Sequence, residues 1–429
     1  MTKPPTTSSD SPILERAVIP PRPQPRSRRL AIVAASLGAL GLAAAVGVVL
    51  GGRGSTAQVD VRIDLPTPPA VATPAPAAPS PLVATARSAT AGWIQVALLL
   101  DTSGSMGGLI DQARAQLWKI VTRLDAAQRD GKPPVIEIAL YEYGNQRASA
   151  SSGWIRQITP FTSDLDRVSE ALFALSVDGG EEYVGQAVST AVSDLQWSTR
   201  EGDLRLVFVA GNESFDQGPV APARAMERAR AKGISVTAIL CGTDDPSWKN
   251  GTKRAHMGYF EIDSNATIAD IAAPQDAEIV RLGDALNATY IPFGAAGNDG
   301  LARQAAQDSN AAHSQPGSVV WRSIAKSTGN YDNDSWDLGD HLRNGAGLAA
   351  VSEADLPEVM RGMTAEQRTR YVEQKLAERS RLSQRIQRLG DERGRFLAAA
   401  RRDTVGESLD SAMLRAVAAL ARAAGFEVH

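Results

Sequence analysis

One cysteine in 429 residues, Cys241, excludes an internal disulfide framework and any cysteine-rich zinc module. Histidine is nearly as scarce. His256, His313, His341 and His429 stand alone, with no pair at metal-ligand spacing. Charge of one sign is missing too: 45 Lys+Arg face 48 Asp+Glu, a net charge of -3. That balance supplies no excess positive field for a polyanion, so no nucleic-acid partner is expected. The chain has no Gly-x4-Gly-Lys-Ser/Thr phosphate loop and no Gly-x-Ser-x-Gly nucleophile elbow. The length suggests two or three folded units.

The near-neutral total conceals segregation along the chain. Residues 1–29 hold Lys3, Arg16, Arg22, Arg26, Arg28 and Arg29 against Asp10 and Glu15, among Pro and Ser. Such a stretch buries too little apolar surface to fold and reads as a disordered basic tail. Residues 30–52 then carry no charge, and Ser36 is their only polar side chain. As a helix this run reaches about 34 Å, enough to cross a hydrocarbon core of roughly 30 Å. The preceding basic cluster predicts a cytoplasmic N-terminus and an extracytoplasmic remainder. Two fates stay open: an uncleaved anchor, which the length favours, or a signal peptide cut near Ala43-Ala44-Ala45 with secretion of the rest. Residues 53–90 follow as a Pro/Ala-rich linker. Val59, Val61, Ile63 and Leu65 alternate within it, and seven prolines fall in 66–81.

From Trp93 the pattern changes. WIQVALLL is an apolar run of strand length, and similar runs recur at Val135–Tyr143, Leu204–Ala210 and Ile234–Cys241. Helical periodicity separates them, at Leu109–Leu124, Leu165–Leu175, Val184–Leu195 and Val220–Ala231. Strands alternating with helices predict an α/β fold, a doubly wound and mostly parallel sheet covered on both faces. Ligands of such sheets bind at the carboxyl ends of the strands, beside the switch in strand order. Asp101-Thr102-Ser103-Gly104-Ser105-Met106 falls at that edge.

An Asp and two Ser separated by single residues can turn three hard oxygens toward one point, a set suited to Mg²⁺, Mn²⁺ or Ca²⁺. The same residue types also turn a chain and cap a helix without any ion. Asp-Thr-Ser is not the Asp-x-Asp of phosphoryl transfer. No His lies near Ser103 or Ser105 in sequence to act as a base, although the fold could bring His256 close, so a hydrolytic enzyme is the weakest reading. Cys241 closes an apolar strand and reads as a buried, inert thiol.

LLLDTSGSM resembles the metal-ion-dependent adhesion site (MIDAS) of von Willebrand factor type A domains. The resemblance extends over 91–293 through Gly185-Gln186-Ala187-Val188, Val207-Phe208-Val209 and Gly258-Tyr259-Phe260-Glu261-Ile262. It implies a doubly wound sheet that binds proteins through a divalent cation and is seldom an enzyme. It further implies that Ser103 and Ser105 ligate the ion directly and Asp101 through water. Two positions depart from the pattern. Glu182 stands where the second loop normally has Thr, and Gly211 stands where the third normally has Asp. One carboxylate is lost and one gained, which makes the metal set Asp101, Ser103, Ser105 and Glu182, with Asn212 and Glu213 as supplementary oxygens. A degenerate site, hydrogen-bonded without an ion, stays open. The residues around Tyr183 and Gly211-Asn212-Glu213 look like those of bacterial membrane-anchored members of the family.

Residues 294–360 mix Gly, Asn, Ser and Asp with Trp321, Tyr331 and Trp336, and are expected to be an irregular extension docked on the sheet domain, with one helix at Leu301–Ala312. Thr364-Ala365-Glu366-Gln367 opens a long charged helix over 361–405. Twelve basic residues face five acidic ones between Arg361 and Arg402. Its apolar stripe of Tyr371, Leu376, Leu382, Ile386, Leu389 and Phe396 is loose, which leaves both a solvated helix and a coiled coil open. Residues 406–429 form a last short amphipathic helix with Leu409, Met413, Val417 and Leu420 on one side. The whole reads as a single-pass membrane protein binding a protein partner at its metal-site edge, or else a metal-independent scaffold acting through its C-terminal helices.

Overall fold

Alternation along Trp93–Asp101 (β1) sets the layering of the molecule. Ile94, Val96, Leu98 and Leu100 join one apolar cluster, Ala97 and Leu99 the other, and all are buried. A strand buried on both faces needs parallel neighbours with helices above and below. In the computed structural model these are Val135–Tyr143 (β2), Ile155–Thr162 (β3), Leu204–Gly211 (β4), Ser235–Cys241 (β5) and Gly258–Ile262 (β6). The strand order is β3-β2-β1-β4-β5-β6, parallel except for β3. The order reverses at β1, so the crevice between β1 and β4 opens at the carboxyl end of β1, where Asp101 stands. The structure describes residues 92–242, 245–255, 258–263, 271–315, 317–400 and 409–427. The tail 1–29, the apolar run 30–52, the linker 53–90 and His256 lie outside them. Among the described residues no helix is long and apolar enough to cross a membrane.

The expected strands and helices are present, and β3 is an addition. Its sequence, IRQITPFT, shows no clean alternation, because the pairing with β2 shifts register between Ile138 and Tyr141. Pro160 is tolerated because β3 is an edge strand. One face of the sheet is covered by Val184–Asp194 (α3), Pro222–Ala231 (α4) and Pro246–Ala255 (α5). The other is covered by Gly107–Asp125 (α1), Leu165–Ala174 (α2) and, unexpectedly, Leu409–Ala423 from the far end of the chain, labelled α11 below. Met413, Ala416, Val417, Ala421 and Phe426 enter the same core as β1. Glu427 exchanges backbone hydrogen bonds with Gln128, and the Arg129 guanidinium lies 3.9 Å from the Phe426 ring. The core of the sheet domain therefore does not end at residue 293.

The stretch 294–360 is not irregular. After Asp276–Asn287 (α6) come Gly297–His313 (α7), Ser318–Lys326 (α8), Leu338–Arg343 (α9) and three short 3-10 turns. The long helix Ala365–Ala400 (α10) is a largely solvated helix held along a narrow stripe, the first of the two readings left open. It packs along α6, α8 and α9. Its buried stripe is Val372, Arg379, Ile386, Leu389, Arg393 and Leu397, whereas Phe396 is exposed.

Two buried ion networks fasten this extension. Arg322, stacked 4.4 Å from the Trp118 ring, donates to Asp166 on α2 at 2.7 Å and also to Asp308. Lys326 donates to both Asp308 oxygens, and burial together with neighbouring Arg322 lowers its pKa to about 8. Arg379 donates to Asp337 at 2.7 Å, to Asp340 at 2.8 Å and to the Thr289 carbonyl, over the face of Tyr290. Burial and the charge of Asp337 push Asp340 up to about 6, against the pull of Arg379. Removing one member of such a network strands the others without water. Arg379→Ala is expected to cost about 3–5 kcal/mol, read as a lower urea midpoint. Arg370→Ala, at an exposed site, should stay within about 0.5 kcal/mol.

Candidate metal centre at the carboxyl edge of the sheet

Beyond Asp101 the chain leaves the sheet in a tight turn. Asp101 Oδ1 accepts the Ser103 backbone N–H at 2.8 Å, which folds the loop back on the strand end. Helix α1 then starts after Met106, and no side chain caps it. The hydroxyls of Ser103 and Ser105 are thus not spent on capping, and the loop's polar groups are left for another task. Thr102 fastens the loop to its neighbours. Its N–H donates to the Tyr143 carbonyl at 2.9 Å, and its carbonyl accepts from the Asp178 N–H at 3.0 Å. Asn145 bridges Thr102 Oγ1 and the Ser176 carbonyl.

Glycines bring the three loops together. A side chain at Gly144, where φ is +74°, would place its Cβ 2.9 Å from Asp101 Oδ1, 2.9 Å from Glu182 Cγ and 3.6 Å from Ser103 Cβ. Gly180 likewise packs against the Gly144 backbone, where a Cβ would meet the carbonyl at 2.7 Å. Asp101, Ser103 and Glu182 therefore converge on one point, as expected from the sequence. Ser105 is exposed, and its Oγ accepts from Asn212 Nδ2 at 3.0 Å, which adds Asn212 to the same edge. Glu213 makes no such contact. It is exposed and acts through its charge.

Gly211 has its own explanation. A Cβ there would lie 2.3 Å from the Tyr143 hydroxyl and 3.1 Å from Asp101 Oδ2. The Tyr143 phenol, buried and donating to the Ala210 carbonyl at 2.8 Å, fills the place where a side chain at 211 would go. Tyr143 and Asn145 are the site's positioning residues that the sequence pattern did not disclose. Tyr143 closes the apolar strand β2 and Asn145 follows it, with nothing unusual in their spacing.

The edge is short of hydrogen-bond donors. Asp101 Oδ2, Ser103 Oγ and Asn212 Oδ1 are buried without a hydrogen-bond partner. Burial, with help from the Glu182 charge and against the Ser103 N–H, pushes the Asp101 carboxyl up to about 7. Burial and the charges of Glu213 and Glu181 raise Glu182 as well. Unanswered hard oxygens of a carboxylate, a hydroxyl and an amide, with the Glu182 carboxylate beside them, suit a divalent cation such as Mg²⁺. Among the described residues no three His, Cys, Asp or Glu side chains cluster, so the set depends on neutral oxygens as much as on charge. The residues present fit a cation, and Asp101, Ser103, Ser105, Glu182 and Asn212 are the ones that would hold it.

A doubly wound sheet with such an edge belongs to the α/β domains that bind at a topological switch point. Residues 95–268 match the von Willebrand factor type A domain family, and the chain carries a domain of that family. Domains of this kind commonly serve as protein-interaction modules with a MIDAS-type site. Among solved structures, proximal thread matrix protein 1 from the mussel byssus, with a zinc-occupied MIDAS motif, aligns at 16% identity and a TM-score of 0.32. The alignment covers 40% of this chain and 41% of that one, so the chain spans about two-fifths of the mussel protein. The SpRpn10 VWA domain aligns at 12% identity and a TM-score of 0.32, over 41% of this chain and 100% of that one. No curated protein matches.

The carboxyl of Asp101 carries a pH signature. Its folded-state pKa lies above the ordinary 3.8, so its contribution favours the folded state fully below about pH 4 and is lost as pH rises through about 7. The metal-free protein should thus be less stable at pH 8 than at pH 5, by an amount on the order of a few kcal/mol. Asp101→Asn should flatten that difference in urea titrations at the two pH values.

Proposed function

We propose that this protein is a membrane-anchored, extracytoplasmic binding module that holds a divalent cation, Mg²⁺ by donor hardness, at Asp101, Ser103, Ser105 and Glu182 and engages a protein partner at that edge. The observation that carries the reading is the group of three buried oxygens without hydrogen-bond partners at the carboxyl ends of β1 and β4. When bound, the cation supplies a Lewis-acidic surface point for a partner's oxygen. The chain's own residues then have limited tasks. Asp101 and Glu182 balance the ion's charge, the hydroxyls fix its position, and Thr102, Asn145 and Tyr143 hold the loops still. Binding rather than catalysis is favoured because, among the described residues, Ser103 Oγ has no hydrogen-bond partner and Ser105 Oγ meets only the Asn212 amide. The anchor rests on the uncharged run 30–52 and the basic residues before it.

A second reading, a scaffold acting through the C-terminal helices, has its own support. Arg370, Arg381, Arg388 and Arg395 recur at 11, 7 and 7 residues on one exposed face of α10. An acidic partner could lie along that face without the metal.

Thermal unfolding of the full-length protein separates these readings. Mg²⁺ or Mn²⁺ at a hundredfold excess over Kd should add about 2.7 kcal/mol relative to EDTA, and Asp101→Ala or Glu182→Ala should remove the increment. A midpoint indifferent to the ions would sink the metal-dependent reading. Reporter fusions on either side of 30–52 address the topology. The expected result is a cytoplasmic reporter before the run and an extracytoplasmic one after it, and a cytoplasmic sheet domain refutes the anchor.

A further inference from the structure

Lys326, the last residue of α8, ends among two polar groups instead of beside a single counter-ion. Its Nζ donates to Asn287 Oδ1 at 2.7 Å and to the two Asp308 oxygens at 2.8 and 2.9 Å. Asn287, the last residue of α6, donates in turn from Nδ2 to Asp308 Oδ2 at 2.6 Å. An amine, a carboxamide and a carboxylate thus form a closed ring in which each touches the other two. The lysine side chain in it is only 2% exposed. An ion pair between α7 and α8 would need Asp308 alone, whereas this ring also fixes the carboxamide at both of its ends.

The ring holds the parts of an acyl transfer. Oδ1 is one C=O bond from Cγ, so Nζ stands no more than about 3.9 Å from that carbon. Reacting atoms in a near-attack arrangement are about 3–3.5 Å apart, a small shift away. Burial and the charge of Arg322 lower the Lys326 pKa to about 8, which leaves about a tenth of it as neutral amine near pH 7. Against burial, the charges of Lys326 and Arg322 hold the Asp308 carboxyl below its ordinary range, as a ready proton acceptor. Arg322 donates to Asp308 Oδ1 and is itself anchored on Asp166 at 2.7 Å. Asp308 Oδ2 then lies between the amine that must lose a proton and the amide nitrogen that must gain one. A cavity of about 480 Å³, with Lys326, Tyr290 and Tyr331 among its walls, adjoins the ring and gives a small leaving group a way out.

We propose that Lys326 and Asn287 become joined by an isopeptide bond, with Asp308 as the general base. The Nζ lone pair attacks Cγ, and a proton passes from Nζ to Asp308 Oδ2. Oδ2 hands that proton to Nδ2, the Cγ–Nδ2 bond breaks, and ammonia leaves. No oxidant or cofactor enters. The bond ties α6 to α8 across 39 residues, in a chain whose single cysteine excludes an internal disulfide. It is independent of the metal edge and of what binds there.

The test is a tryptic peptide map of the full-length protein by mass spectrometry, after incubation at pH 8. Trypsin does not cut at an acylated lysine, so residues 282–303 should appear joined to 323–343. The joined mass should fall about 17 Da, one ammonia, below the sum of the two peptides. Lys326→Met and Asn287→Ala should abolish the joined peptide, with circular dichroism confirming that the helices remain. Asp308→Asn, of nearly the same shape, should cut its yield about tenfold or more. Only linear 282–303 and 323–326 from the wild-type protein would overturn the proposal, as would ammonia loss confined to 282–303, the mark of a succinimide. A joined peptide formed as fully in Asp308→Asn overturns the role given to Asp308.

Discussion

A carboxylate with no water around it governs this edge of the protein. Asp101 ends the central strand at the point where the order of strands reverses, a place shielded by β2, β4 and three loops. One of its oxygens fixes the turn through the Ser103 N–H, and the other has no hydrogen bond. Desolvation then disfavours its ionised form, and the neighbouring Glu182 makes matters worse. A fold that only needed a turn here could have used Asn or Gly at no such cost. A bound cation would resolve both difficulties at once, because it would supply charge to the carboxylates and a coordination partner to the hydroxyls.

The packing of the sheet domain reaches outside the family-matched residues. Arg322 reaches from α8 to Asp166 on α2, and Arg379 reaches from α10 to Asp337 and Asp340. Helix α11 closes the β4–β6 side of the sheet from more than 140 residues further along the chain. An extension fastened by fully desolvated ion pairs opens only by exposing several charges without partners, which makes it an integral part of the domain. Its geometry leaves the opposite face of α10 to the solvent, and the arginines there are the residue of the charge surplus once Arg379 and Arg393 are accounted for as buried.

How much of this was legible in the sequence depended on how local the cause was. The run WIQVALLL followed by Asp-Thr-Ser-Gly-Ser disclosed the central strand, the edge and the candidate oxygens, because apolar burial and turn chemistry act within a few residues. The alternation of strand and helix disclosed the sheet. What stayed hidden was non-local. Strand β3 is set by a register shift against β2, and the return of α11 is set by the uncovered face it fills. The apolar stripe of α10 is on the packed face, with Ile386 and Leu389 buried and Tyr371, Leu376 and Leu382 half-buried, but an apolar pattern passes over Arg379 and Arg393, which are buried there through partners at Asp337, Asp340 and Asp276. Phe396, the most apolar candidate near its end, is exposed in their place.

The two departures from the family pattern turn out to be linked through Tyr143. With its hydroxyl bonded to Ala210, the phenol takes the room beside Asp101 that an aspartate at position 211 would need. A carboxylate cannot be kept at that spot, and the charge reappears across the site on Glu182, on a loop that Gly144 and Gly180 allow to come within contact of Asp101. The exchange is not neutral in position. It places negative charge at the partly exposed rim, beside Glu181 and Glu213, instead of at the buried end of β4, and water screens it there less completely than at a free surface. Glu182 and Glu181 thus stand together on the loop that Gly144 and Gly180 let close on Asp101.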